Sequence, residues 1–181
     1  MQEHKIVVLG TMGAGKSTLV RAIAGSKVID TDVRNTDGSS GKMETTVAMD
    51  YADVDLPNGD RLRLYGTPGQ PRFAFIWPIL LQGASGVVVL VDATRSSMVD
   101  DIDCYLDSLR EHARDVPAVI GISKLDVAPD ADMDACNMHV CERLRPLPVV
   151  PFDARSESGV MLLMDVLMGE IETAGLVGMH S

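Results

Sequence analysis

The sequence predicts an α/β fold in which a mostly parallel sheet of six strands, with one antiparallel edge strand, carries helices on both faces. Apolar, β-branched segments alternate along the chain with segments whose apolar residues recur at helical spacing, which is typical of βαβ units. A turn signal between two strand segments predicts a hairpin, and hence the antiparallel strand. The 181 residues suit one such domain, so we expect a domain over 1–175 and a short tail over 176–181.

The first predicted strand, 6–9, is a continuous run of Ile, Val and Leu, as expected for a strand that is buried on both faces of a parallel sheet. Helical spacing begins at Lys16, and Gly25 can end that helix. Between strand and helix lies the turn GTMGAGKS, residues 10–17. Glycine-rich turns of this kind bring several backbone N–H groups together at a helix N-terminus, where they bind an anion.

This turn matches the full G-x-x-x-x-G-K-[ST] pattern in its strand–loop–helix context, which predicts a P-loop NTPase. Lys16 supplies a positive charge for the terminal phosphates, and the Ser17 hydroxyl can bind Mg²⁺. The alternative is an ordinary flexible βα turn, which the complete match disfavours. The predicted phosphate-binding residues are Gly13, Ala14, Gly15, Lys16, Ser17 and Thr18.

The rest of the chain continues the alternation of strands and helices. Strands are predicted over 45–54, 61–65, 86–91, 118–122 and 147–152, and helices over 97–114, 132–143 and 158–173. The hairpin is predicted around DLPNG, between the second and third of the six strands. The polar, Gly- and Ser-rich stretch 30–42 is predicted to be a long, mobile loop.

Charge and composition exclude several classes of function. The net charge is −10, with 16 basic and 26 acidic residues, which argues against nucleic acid or an anionic membrane as the main partner. We expect no membrane span, signal peptide or lipid anchor, because no apolar run is long enough and neither end carries a recognised signal. Cys104, Cys136 and Cys141 lack metal-ligand spacing and are expected to be reduced, which suits a cytoplasmic protein.

Four further motifs follow the glycine-rich turn in a definite order. They are ETTVAMDY at 44–51, LYGTPGQ at 64–70, GISKLD at 121–126 and PFDAR at 151–155. Together they resemble the small Ras-like GTPases over nearly the whole chain, and the GTPGQ variant is most similar to the bacterial and archaeal MglA-type GTPases, which are related to the Arf and Sar branch. The resemblance implies a GTP/GDP-binding switch that uses Mg²⁺ and acts on a protein effector or regulator, such as a roadblock-domain protein.

The last two motifs resemble the base-recognition segments of that family. Asp126 would accept hydrogen bonds from guanine N1–H and the 2-amino group, a donor pair that adenine lacks, and the Lys124 stem can lie over the base. Ser123 stands where the family has Asn, which weakens the link between the base pocket and the phosphate loop. By the same resemblance the Ala154 N–H meets the guanine carbonyl, and Arg155 stands where the family has Lys.

Two other segments resemble the family's switches. The resemblance implies that Thr46 binds Mg²⁺ and contacts the γ-phosphate, with the neighbouring Thr45 as the open alternative. It also implies that the Gly69 N–H senses the γ-phosphate and that Gln70 orients the attacking water. Gly66 replaces the Asp that holds a Mg²⁺-bound water in the family, so we expect weaker metal binding.

Three other features modify this interpretation. The Met12 side chain would crowd an inserted arginine finger, so we expect that no partner inserts one and that hydrolysis is slow unless another arrangement supplies charge. Asp92 ends an apolar strand, as a metal-binding carboxylate would, but we expect it to be structural. Phe73, Phe75 and Trp77 cannot all face the core from one regular helix, so we expect at least two of them to pack in the core.

The sequence therefore predicts a slow GTPase that changes partner binding through two switch loops. The catalytic residues would be Lys16, Thr46 and Gln70, and the metal would lie at Ser17 and Thr46. One alternative is a P-loop kinase acting on a small molecule. Another is a pseudo-GTPase scaffold that binds nucleotide without hydrolysing it, which the residues at positions 12, 66 and 123 favour.

Overall fold

The computed structural model describes residues 2–25, 28–34 and 46–178, with side chains over 2–25 and 49–176. The strands are β1 (Glu3–Gly10), β2 (Val28–Arg34), β3 (Thr46–Asp55), β4 (Arg61–Gly66), β5 (Gly86–Asp92), β6 (Ala118–Ser123) and β7 (Val149–Phe152). The helices are α1 (Lys16–Ala24), α2 (Trp77–Leu81), α3 (Met98–His112), α4 (Met133–Arg143) and α5 (Glu157–Gly178), and a 3₁₀ helix, Pro71–Ile76, precedes α2.

The described strands form one sheet in the order β2-β3-β4-β1-β5-β6-β7. β1 pairs in parallel with β4 and β5, and the parallel pairing continues through β6 to β7. β3 is antiparallel to both of its neighbours, so it alone among the described strands runs against the others. The predicted fold class, a mostly parallel sheet with one antiparallel strand and helices on both faces, is confirmed.

Strand β2 extends the sheet beyond the six strands expected from the sequence, all of which are present. It pairs with β3 along its full length, so the antiparallel strand lies second from the edge and not at the edge. The stretch 30–42 was expected to be a loop; residues 30–34 belong to β2, and 35–42 lie outside the described residues. Over 29–34, aliphatic or β-branched residues alternate with charged ones, which is the period-two pattern of an edge strand. The polar composition of 30–42 as a whole favoured a loop instead.

Helices cover both faces of the sheet and bury two apolar clusters. One cluster joins α2, α3 and α4 to the sheet, and the other joins α1 and α5 to its opposite face. Every residue of β5 and β6 is buried, as the continuous apolar runs predicted for central parallel strands. Because β1, β5 and β6 end along the same edge, the loops that follow them lie side by side.

The aromatic cluster behaves as expected. Phe73 and Trp77 are buried, whereas Phe75 is 49% exposed. The segment is a 3₁₀ helix up to Ile76 and not one regular α-helix, and in this backbone two of the three aromatic side chains pack in the core. Across the described ranges, we find no helix with the length and apolar character needed to cross a bilayer.

Candidate functional site

The glycine-rich turn connects β1 directly to α1 at the carboxyl edge of the sheet. Gly15, the residue before the helix, has φ of 106°, a left-handed conformation that favours glycine. A Cβ there would also lie 3.3 Å from the Ala154 side chain, so the turn packs tightly against the loop after β7. The open N–H groups of the first turn of α1 therefore face the site, together with the positive end of the helix dipole.

Lys16 is a buried cation at the centre of this turn. Lys16 is only 8% exposed, and its Nζ donates hydrogen bonds to the carbonyl oxygens of Gly10 and Thr11, each at 2.7 Å. Burial lowers the pKa of Lys16 to about 8, partly offset by the nearby carboxylate of Asp50. The carbonyl oxygens that Lys16 contacts are neutral, so they do not fully offset the cost of burying its charge. A phosphate bound beside Lys16 would offset that cost with its negative charge.

A cavity of about 580 Å³ opens beside Lys16, and it is lined by Ser17, Asp50, Gly66 and Gly69 among others. A Cβ on Gly69 would lie 2.5 Å from the backbone N of Met12 and 2.6 Å from Lys16 Nζ. Only a residue without a side chain can approach the phosphate loop so closely. The backbone of Gly69 thus lies close to the ammonium group of Lys16, and its role in sensing a γ-phosphate stays a prediction.

Asp50 is a member of this cavity that the sequence reasoning missed. It lies on β3, and its carboxylate accepts a short hydrogen bond from the Ser17 hydroxyl. In the sheet Asp50 pairs with Gly66, and a Cβ on Gly66 would lie 3.1 Å from Asp50 Cβ and 3.4 Å from its Oδ2. The carboxylate of Asp50 therefore lies in the region that the side chain of an Asp at position 66 would occupy.

A signal for Asp50 was present in the sequence. The DLPNG turn sets the register of the hairpin, so that Asp55 pairs with Arg61. Counting five residues back on β3 and five forward on β4 places Asp50 opposite Gly66. This count predicts from the sequence that Asp50 lies opposite Gly66, the position where the family has an Asp.

A second cavity, of about 260 Å³, lies on the other side of the phosphate loop. It is lined by Ser123, Lys124, Asp126, Ala154 and Arg155, together with loop residues that it shares with the first cavity. The two cavities thus meet along Gly13, Gly15 and Thr18. The sequence-predicted phosphate and base residues are therefore brought together into one continuous site.

Lys124 and Asp92 form an ion pair at the base end. Lys124 has φ of 61°, unusual for a residue with a side chain, and its Nζ lies 2.5 Å from Asp92 Oδ2. Asp92 is 4% exposed and also accepts hydrogen bonds from the backbone N and the hydroxyl of Thr94. Burial alone would raise the pKa of Asp92, but the bonds from Lys124 and Thr94 outweigh it and lower that pKa. Asp92 thus anchors Lys124, in keeping with a structural role.

The remaining candidates vary in how fully the structure places them. Ser123 is buried, and its hydroxyl donates to the Val91 carbonyl at 3.1 Å, so it braces β5 and β6. Gln70 Nε2 lies 3.9 Å from Met12 Sδ, which puts the Gln70 amide beside the phosphate loop. Thr46 begins β3, but its side chain, like all of Thr45, lies outside the described part of the chain.

The described side chains include no group of three or more His, Cys, Asp or Glu residues that could hold a metal ion. A cation in the first cavity would therefore need oxygen ligands from a phosphate group and from water in addition to Ser17 and Asp50. Mg²⁺ is usually bound in this way, through one or two protein oxygens with phosphates and water completing its octahedron.

Comparisons with known proteins agree with this geometry. The Ras-family profile matches residues 5–172 of the chain. An uncharacterized protein of Methanocaldococcus jannaschii is 30% identical over 140 residues, which are 76% of this chain and 78% of that protein. The Ras-related protein RAB1BV of Beta vulgaris is 30% identical over 135 residues, 72% of this chain and 54% of that protein, so the match spans about half of its length. The solved G domain of the T. maritima FeoB iron transporter has a TM-score of 0.68 at 18% identity, covering 93% of this chain and 99% of that one, which shows a shared fold.

Proposed function

The chain belongs to the Ras family of small GTPases, and from that premise we propose that it is a GTP-operated switch that hydrolyses GTP slowly and alters its binding to a partner protein. The observation that carries the proposal is the joining of two cavities at the phosphate loop, one holding Lys16 and Ser17 and the other holding Asp126. The first suits a polyphosphate, because it combines a buried cation with a helix N-terminus. The second suits guanine, whose donor pair matches a carboxylate.

The first cavity fits Mg²⁺, because it holds a hydroxyl and a carboxylate side by side. Ser17 and Asp50 would hold the ion, and Thr46 is proposed as a further ligand on the basis of the resemblance. When bound, the ion neutralises charge on the β- and γ-phosphates. We propose that Asp50 offsets the absence of an acidic residue at position 66; the weaker metal binding expected from Gly66 stays a prediction that the Mg²⁺ titration below tests.

In the proposed reaction, water attacks the γ-phosphorus of GTP and the bond from that phosphorus to the β–γ bridging oxygen breaks, which leaves GDP and inorganic phosphate. Lys16 would exchange its two carbonyl partners for phosphate oxygens and stabilise the charge that develops on them. Gln70 would hold the water in line, and the backbone N–H of Gly69 would sense the γ-phosphate. Loss of that phosphate would release both switch segments and change the surface seen by a partner.

We also propose the finer assignment to the MglA-type branch, which rests on the GTPGQ motif at 66–70, and with it a roadblock-domain protein as the first partner to test. A cytoplasmic location is proposed from the acidic composition and from three cysteines without metal-ligand spacing. A pull-down of candidate partners with a non-hydrolysable GTP analogue, compared with GDP, tests the switch directly. Equal capture in both states would contradict it.

Nucleotide binding and single-turnover hydrolysis separate this proposal from its two alternatives. GTP and GDP should bind much more tightly than ATP; equal affinities would favour a small-molecule kinase. A guanine preference without any hydrolysis, even with a captured partner, would identify a pseudo-GTPase scaffold.

Gln70 provides the sharpest test of the hydrolytic step. Gln70→Ala should abolish the partner-stimulated rate while GTP affinity changes little, because the amide acts mainly in the transition state. The basal rate is expected to be slow in both proteins. The Met12 side chain, 67% exposed, would crowd an arginine inserted by a partner, so stimulation is expected to act through Gln70. A Gln70→Ala protein that is stimulated as strongly as the parent would show that another residue holds the water.

A further inference from the structure

Arg155 connects the two carboxylates of the base cavity. Its Nε donates to Asp153 Oδ1 and its Nη2 to Asp153 Oδ2, both at 2.9 Å, and the Arg155 backbone N also donates to Asp153 Oδ1 at 2.9 Å. The same Nη2 donates to Asp126 Oδ2 at 2.9 Å. Hydrogen bonds from Arg155 lower the pKa of Asp153 to about 2. Arg155 is thus held by Asp153 and extends one contact to Asp126.

Position in the sheet explains why these groups meet. Asp126 follows β6 and Asp153 follows β7, and the two strands pair in parallel, so their following loops share one edge. Two neighbouring carboxylates repel each other unless a cation lies between them. Arg155 is that cation, and a guanidinium is suited to it because its fixed fork can serve two acceptors at once.

We propose that Arg155 is a positioning residue for guanine recognition, which orients Asp126 through the anchor that Asp153 provides. This rests on the function proposed above and deepens it. Among the described residues, Arg155 is the hydrogen-bond partner that the structure gives to the Asp126 carboxylate, whose side chain is 54% exposed. Without that contact the carboxylate would rotate freely, and a base that needs both of its oxygens would bind a less ordered acceptor.

The geometry distinguishes positioning from competition for the same site. The hydrogen bond from Arg155 goes to Oδ2 of Asp126, and within the described part of the chain no hydrogen bond is made to Oδ1. Each carboxylate oxygen can accept two hydrogen bonds, so Oδ2 can accept from Arg155 and from a base at the same time. A guanidinium that blocked the base would instead take both oxygens of Asp126, as it does with Asp153.

The test measures GDP and ADP affinities of the full chain and of three variants. Arg155→Ala should weaken GDP binding about five-fold, as expected for a charge-assisted hydrogen bond in an exposed position, and leave the weak ADP binding within about two-fold. Arg155→Lys, which keeps a donor but loses the fork, should be intermediate. Asp153→Asn, which weakens the anchor and leaves Asp126 untouched, should also lower the GDP-to-ADP affinity ratio.

A double-mutant cycle makes the test specific. With Asp126→Ala already present, Arg155→Ala should change GDP affinity by less than about two-fold, because the carboxylate that Arg155 contacts is then absent. The matched control is Arg110→Ala, since Arg110 forms an exposed pair with Asp107 at 2.6 Å on α3; that variant should bind both nucleotides as the parent does.

Unchanged or tighter GDP binding by Arg155→Ala would overturn the inference, and tighter binding would identify Arg155 as a competitor. Equal losses of GDP and ADP affinity would also overturn it, since a general distortion of the loop would affect both bases. Failure of the proposed function itself would look different, because the parent protein would then show no preference for GDP over ADP.

Discussion

The phosphate end and the base end of the site hold their charges in different ways. At the phosphate end, Lys16 is 8% exposed and bonded to backbone carbonyls, and Asp50 on β3 is the carboxylate that acts on its charge. At the base end, the side chains of Arg155 and Asp126 are 70% and 54% exposed and pair with each other. Buried charges interact strongly, whereas exposed pairs contribute little. The phosphate end should therefore dominate affinity, and the base end should decide which nucleotide is chosen.

The largest expected effect comes from removing the buried cation. Lys16→Ala should weaken GTP and GDP binding about a thousand-fold with the fold intact, because a buried charge that pairs with a phosphate is lost. Titration calorimetry measures the change. Lys5→Ala is the matched control, since Lys5 Nζ donates to the Gln82 carbonyl at 2.8 Å, away from the site. Unchanged binding by Lys16→Ala would refute the dominance of the phosphate end.

A smaller effect, but one that changes selectivity, is expected at the base end. Asp126→Asn should weaken GDP binding about a hundred-fold, as expected for the loss of charge-assisted hydrogen bonds. It should also shift preference toward xanthosine nucleotides, whose 2-carbonyl is an acceptor for the new amide. Competition binding among GDP, XDP and ADP measures both changes. If affinity for all three fell equally, Asp126 would be acting on the loop and not on the base.

Asp50 tests whether the two ends also differ in their dependence on metal. Asp50→Asn should raise the Mg²⁺ concentration needed to slow GDP release by about ten-fold, which is typical when a group supporting a metal site is lost. Release of a fluorescent GDP analogue during a Mg²⁺ titration measures this without relying on hydrolysis. Asp55→Asn is the control, because Asp55 is exposed on the same strand and pairs with Arg61.

The exchange Asp50→Gly with Gly66→Asp should restore part of the Mg²⁺ dependence, because it returns the carboxylate from β3 to the facing position on β4. An Asp50→Asn protein with the Mg²⁺ response of the parent would remove Asp50 from the metal site.

The smallest expected effect is a pH dependence that belongs to the phosphate end alone. The pKa of Lys16 in the empty protein is about 8, below its usual 10.5, and bound phosphate favours the charged form. Binding therefore takes up a proton above pH 8, and GDP affinity should fall about four-fold between pH 7 and pH 8.5.

The same lowered pKa means that the unfolded chain binds more protons between pH 8 and pH 10.5, so this group makes the empty protein more stable as pH rises through that window. The decline in GDP affinity should be absent from Lys16→Ala and retained by Asp126→Asn. A decline that persisted in Lys16→Ala would assign it to another group.

Most of the fold and the phosphate loop could be predicted from residues that are adjacent in the sequence. The phosphate loop could be predicted because a strand, a glycine-rich turn, Lys16 and Ser17 are adjacent in the chain, and local residues alone set their geometry. The strand–helix alternation gave the parallel sheet, and the order of the later motifs pointed to the family that the Ras-family match over 5–172 confirmed. The roles of Gln70 and of the base residues stay predictions, which the experiments above address.

Tertiary structure alone decided which side chains meet between segments that no short turn connects. The pairing of Asp50 with Gly66 can be counted from the hairpin turn, but the contact of Asp50 with Ser17 depends on the packing of α1 against that hairpin. The contact from Arg155 to Asp126 joins residues 29 apart through the β6–β7 pairing. The polar edge strand β2 likewise depends on a partner, because its pairing with β3 compensates for the weak local signal of 28–34. A motif specifies the conformation of its own backbone, whereas a cross-strand contact is specified only when separate segments have taken their register.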